Sequence, residues 1–227
     1  MLADMSPPAG HERGSSRAPA SSHVRWSYPT ALAVAASAYV LLHHLGLVPG
    51  GLGRAAEGTR KADWLDLLTP YMVLAPAAAT LHAASATGRQ WACLALGAVM
   101  YASGHGIHLA ANSIGNVSPG PTAHLWDEVV GHYVWYAGVA LVTAAVAATM
   151  TGRKRPHNPG SYVLAVAVGL TWATNGIGAG TALLSLLLAL VAVGFGWRHR
   201  YELTVLLVIA YIPASLLLTA DLVTQLA

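Results

Sequence analysis

The chain is poor in what a soluble domain or a disulfide-built one requires. It has a single cysteine, a single phenylalanine, 7% aromatic residues and only 9% Asp, Glu, Lys and Arg, against 55% hydrophobic residues. Soluble domains carry roughly 25% charged residues, so there is too little polar surface for a water-exposed fold. The lone Cys93 excludes an intramolecular disulfide and a cysteine-built metal cage, and it sits in an apolar run as a small core residue would. The formal charge of +3 is modest and its basic residues are spread over short segments, which argues against nucleic-acid binding.

What remains is mostly Ala, Leu, Val and Gly, at a mean hydropathy of +0.53. Small residues of this kind let helix backbones approach closely in lipid. Residues 1–25 are different in character. They are rich in Pro, Ser, Gly and Arg without an apolar period, and read as a disordered cytoplasmic tail. The run that follows is too long for a typical signal peptide and no clear cleavage box closes it, so it reads as a retained helix.

From residue 26 to 227 the pattern predicts an all-α transmembrane bundle. Apolar segments fall at about 28–48, 64–86, 91–114, 127–150, 161–178, 180–197 and 203–225. Each approaches the roughly 20 residues needed to cross hydrocarbon. The break Asn175-Gly-Ile-Gly-Ala-Gly180 leaves two arrangements open, a turn between two spans or a kink in one. Seven spans is the expectation and six the alternative. With seven, nine of the twelve basic residues fall on the side of the N-terminus, which the positive-inside rule places in the cytoplasm, with the C-terminus outside. Trp26, Trp91 and Trp197 fall at the inner ends and Trp64 and Trp126 at the outer ends, as interfacial belts do.

Ionisable side chains inside spans are costly and so mark candidate sites. Most of them fall toward the outer ends: His43 and His44 in the first span, Asp63 and Asp66 in the second, His105 and His108 in the third, Asp127, Glu128 and His132 in the fourth. Asn175 and Asp221 end the fifth and seventh at the same face, and only His82 lies toward the inner one. His105 and His108, three apart, share a helical face, and Gly104 and Gly106 let a neighbour come close. Glu128, His132 and Tyr136 share a face of the next helix. Asp63 and Asp66 read as an N-terminal cap, and of His43 and His44 only one can point inward.

Imidazoles with a carboxylate suit Zn²⁺, or Fe and Mn if more carboxylates join. The leading expectation is a metal-dependent membrane hydrolase of a lipid or amphipathic substrate near the outer leaflet. His105, His108 and His132, with His44 as a further candidate, would hold the metal. Glu128 would be the general base for a metal-bound water, Asp127 would orient an imidazole, and Asn175 or Tyr136 would donate to an oxyanion. Two other classes use the same residues: a proton or divalent-metal transporter or sensor, and a haem protein with paired axial histidines. Membrane lipid and a second copy of the chain are the partners this composition suits.

The stretch Ser103-Gly-His-Gly-Ile-His108 followed by Leu125-Trp-Asp-Glu128 looks like the Ser/His then Leu-Asp-Glu pattern of alkaline ceramidase-type seven-helix hydrolases. That resemblance covers about 25 residues and the helix count, and implies an intramembrane Zn²⁺ held by histidines for lipid-amide hydrolysis. The chain departs from the pattern in a longer gap between His108 and Asp127, and in a last helix without the family's final histidine pair.

Overall fold

A computed structural model describes residues 26–226; the expected tail at 1–25 lies outside them. The described residues form seven main helices: α1 Tyr28–Leu42, α2 Lys61–Ala83, α3 Gly88–Val117, α4 Pro121–Met150, α5 Pro159–Gly178, α6 Ala182–Arg198 and α7 Val205–Leu226. Of these, α2, α3, α4 and α7 are long and apolar enough to cross a membrane. α1 and α6 are apolar but shorter, at 15 and 17 residues. α5 has 20 residues, its apolar character diluted by Ser161, Thr171, Thr174 and Asn175. The all-α class therefore holds, with length and apolarity for spanning met together by four of the seven.

Helix ends follow local chemistry. Ser27 and Asn158 cap α1 and α5, each followed by a proline in the first turn, where its missing N–H costs nothing. Thr87 opens α3 in a reciprocal box: Gln90 N donates to its hydroxyl and Thr87 N donates to Gln90 Oε1 at 2.7 Å. Thr87→Ala is expected to lower thermal stability in detergent by about 1 kcal/mol, read as a shifted melting curve. Asp63 serves α2 similarly, accepting from Arg60 N at 2.8 Å and pairing with the Arg60 guanidinium at 2.7 Å. This hydrogen bond raises the Arg60 pKa above its ordinary value. The 175–180 ambiguity resolves as a turn: Gly180, at φ 63°, takes a left-handed conformation that separates α5 from α6.

Packing runs α1 on α2 and α5, α5 on α7, α7 on α6, and most extensively α3 on α4. The α3–α4 seam is a ladder of glycines. Gly97 and Gly104 on α3, and Gly131 and Gly138 on α4, are each seven residues apart and so lie on one helical face. A Cβ at Gly104 would overlap the Trp135 backbone nitrogen, one at Gly138 the Tyr101 nitrogen, and one at Gly131 would meet His108 N at 2.9 Å. The two backbones touch directly, as small residues permit in lipid.

The two ends of the bundle carry different chemistry. At one end Tyr28 donates to or accepts from Thr149 at 3.0 Å, Arg153 lies over the Tyr28 ring, and Arg155 donates to the Arg200 carbonyl. At the other end a short hairpin, β1 Arg54–Ala56 with β2 Thr59–Arg60, receives a hydrogen bond from Asn116. The candidate histidines lie toward this second end.

Candidate functional site

Three carboxylate–imidazole pairs converge from α2, α3 and α4. His105 is 1% exposed, and its Nε2–H donates to the Asp66 carbonyl at 2.9 Å, with Asp66 Oδ1 at 3.4 Å. Thr69 donates to Asp66 Oδ1 at 2.8 Å, which fixes the carboxylate. An Nδ1–H on His132 donates to the Glu128 carbonyl at 3.2 Å and lies 3.3 Å from Glu128 Oε2. His108 Nδ1 comes within 2.5 Å of Asp127 Oδ1, but the two are not aligned as donor and acceptor, and neither has another partner. The two atoms are in contact without a formed hydrogen bond.

The indole of Trp135 gathers these rings. His105 meets it edge-on at 4.5 Å between centroids, and His108, His132 and His43 lie 5.6, 5.8 and 5.8 Å away. His108 and His132 themselves approach to 4.4 Å. The glycine ladder makes this possible, since Gly104 and Gly131 sit beside His105 and His132 and let the helices close. Gly106 has open space around it and plays no part in the seam.

A second structural feature aims the acids. Residues Leu125–Gly131 of α4 follow a π-helical path, wider than an α-helix by about one residue per turn. Asp127 and Glu128 sit on this wide turn, which rotates them relative to His132 and the rest of α4. Asp127 thereby faces His108 across the seam while Glu128 stays near His132.

The first-span histidines divide as the 100° step demands, but His43 is the inward one. Its Nε2 and the Tyr101 hydroxyl are 2.8 Å apart, and its Nδ1–H donates to the Tyr39 carbonyl at 2.9 Å. His44 bonds back to the Val40 carbonyl at 2.6 Å, and its ring is not among those around Trp135. The expectation that His44 joins the cluster is thus corrected in favour of its neighbour. Tyr136 OH and Asn175 Nδ2, the expected oxyanion donors, are buried and without a hydrogen-bond partner. Tyr136 packs on His132 and on Trp172.

No group of three or more His, Cys, Asp or Glu side chains among the described residues is arranged to hold a metal ion. The chain matches no protein-family profile, and no curated protein or solved structure is similar to it. The ceramidase-like stretch therefore stands on its own few residues. Within it only His108 and Asp127 meet, while His105 pairs with Asp66 and Glu128 with His132, both outside the stretch.

Sequence reasoning missed Tyr101, Trp135 and the inward role of Asp66. Trp135 carried a usable signal: an indole away from both interfacial belts and one turn from His132. Asp66 had one as well, since Thr69 three residues on is placed to hold it.

Proposed function

We propose that this is an integral membrane protein whose histidine–carboxylate chain moves protons between one membrane face and a cleft at the buried Tyr101. The observation that carries the reading is a run of neighbouring imidazoles that links an exposed acid to a buried tyrosine. Glu128 is 43% exposed at its side chain and His108 20%, while His132 is 6% and His105 1% exposed. From Glu128 the path runs to His132, then His108 at 4.4 Å, His105 at 6.4 Å and Tyr101 at 6.4 Å between ring centroids. It ends at the Tyr101–His43 hydrogen bond. Imidazole accepts a proton on one nitrogen and releases one from the other near neutral pH, which makes it the side chain of choice for such a shuttle. Gaps beyond direct contact are of a size that one water bridges. Tyr101 also lines the large cleft described below, so protons reaching it are delivered to whatever the cleft holds.

The positive-inside count places the basic end of the bundle in the cytoplasm, which puts Glu128 and the histidines toward the outer face. In this orientation the N-terminus is cytoplasmic and the C-terminus outside.

The test is proton exchange at the buried rings, read by NMR of ¹⁵N-histidine-labelled protein in nanodiscs. In the wild type, the ring N–H groups of His105 and His43 exchange with solvent fast for their burial. His132→Gln slows that exchange at both by on the order of tenfold or more, because the path loses its solvent-side step. Unchanged rates at His105 and His43 in a folded His132→Gln protein would refute the path.

A second reading, the metal-dependent hydrolase, is favoured by one feature: the His108 and His132 rings lie 4.4 Å apart with Asp127 and Glu128 beside them. In that reading His105, His108 and His132 would hold the metal, with Glu128 as base and Asp127 orienting an imidazole. Elemental analysis separates the two: one metal per chain, lost in both His108→Ala and His132→Ala, selects the hydrolase, and a visible haem band selects the electron-transfer class.

A further inference from the structure

A cleft with a volume of about 930 Å³ lies between α1, α4, α5 and α7, away from the histidine path except where it meets Tyr101. Its walls are apolar: Ala36, Val142, Val146, Leu164 and Val168 are typical. Along α1 it runs from Tyr28 to Tyr39, a rise of about 16 Å at the helical pitch. That is close to the depth of one leaflet, half of the ~30 Å hydrocarbon thickness. A void of this size and character is a place for a hydrocarbon chain, and water gains nothing there.

The mouth is the opposite in character. Arg153, Lys154, Arg155 and His157 ring it, and Lys154, Arg155 and His157 are exposed. Among the described residues none of the three Arg and Lys side chains pairs with a carboxylate. The acid nearest in the fold, Glu202, is occupied: Gly152 N donates to it at 2.6 Å and His199 lies 3.8 Å away. Arg153 is held over the Tyr28 ring at 3.7 Å and Arg155 by the Arg200 carbonyl, so two of the guanidinium groups are pre-placed at the rim.

We infer that this cleft binds a membrane lipid with an anionic phosphate headgroup. The phosphate sits among Arg153, Lys154 and Arg155, and one acyl chain lies along α1 toward Tyr39 and Tyr101. Charge selects the headgroup, since uncompensated cations at a membrane interface attract anionic lipid. Depth selects the tail, since the void ends one leaflet in. The inference stands on the cleft and its rim alone and does not require the proton path.

Native mass spectrometry of the full chain, delipidated and then exposed to phosphatidylglycerol or phosphatidylcholine of equal chain length, tests it. The wild type is expected to retain one phosphatidylglycerol, with phosphatidylcholine held roughly tenfold more weakly. Lys154→Gln with Arg155→Gln, on an exposed loop, removes the preference while leaving some retention of both. Ala36→Trp, which fills the cleft from α1, removes retention of both. Equal retention of the two lipids by the wild type would overturn the headgroup assignment. Wild-type phosphatidylglycerol retention by a folded Ala36→Trp protein would overturn the cleft as its seat.

Discussion

Gly104→Leu is expected to prevent the protein from being recovered as a folded monomer in detergent, the largest stability loss of any single change considered. The added side chain has no void to enter: its Cβ overlaps the Trp135 backbone nitrogen and lies 2.8 Å from the Gly131 carbonyl. Overpacking a side-chain contact costs roughly 1–3 kcal/mol. Here backbone meets backbone, so no rotamer relieves the clash and the helices must separate along the seam. A loss above about 3 kcal/mol is a large share of the usual 5–15 kcal/mol of a folded domain. Size-exclusion profile and thermal midpoint report it. Gly106→Leu is the matched control: two residues away, with nothing within 4 Å of its added Cβ, it should leave both nearly unchanged. If the two variants behave alike, the close seam is not what holds α3 to α4.

His105→Leu should be the most damaging change at the cluster. The imidazole is 1% exposed and its Nε2–H serves the Asp66 carbonyl. A leucine fills most of the volume but leaves that acceptor, and one side of a mostly buried carboxylate, without a donor. Leaving a buried acceptor unsatisfied costs roughly 1–3 kcal/mol, with more for a charged one. The same change interrupts the proposed proton path in its middle, so exchange at His43 should slow as it does in His132→Gln. His105→Gln can still donate and should recover much of the stability without the exchange. Equal exchange rates in the wild type and both variants would reduce His105 to a packing residue that happens to be polar.

The helices were legible because lipid leaves a chain few alternatives: long apolar runs, punctuated by Pro, Gly and basic residues, place six of the inter-helix connections. Spanning length was less legible. α1 was expected to reach residue 48, yet the helix closes at Leu42 and the chain continues in tight turns through Leu45–Leu47 and Pro49–Leu52. The Val-Pro-Gly-Gly run, with Gly50 and Gly51 at positive φ, cannot continue a helix. At the site, the depth of the acids and histidines could be read from helix position, but their pairing could not. Depth follows from a rise of 1.5 Å per residue; pairing follows from rotation, and the wide turn at 125–131 changes the rotation without changing the composition. A sequence read at 100° per residue therefore assigns Asp127 to an imidazole without saying which one, and the wide turn sets it against His108. The choice of His43 over His44 failed for a related reason, since adjacent residues share a depth and only the packed neighbour decides which one enters.

That wide turn also has an evolutionary side. A point substitution exchanges one side chain; a change of one codon in length between residues 125 and 131 would turn every upstream side chain by about 100° relative to the rest of α4. The acids could then be matched with a different set of histidines while all of them stayed in place. Helix length at this segment is thus a variable in its own right: a chain one residue longer or shorter there would carry the same chemical groups wired in another order.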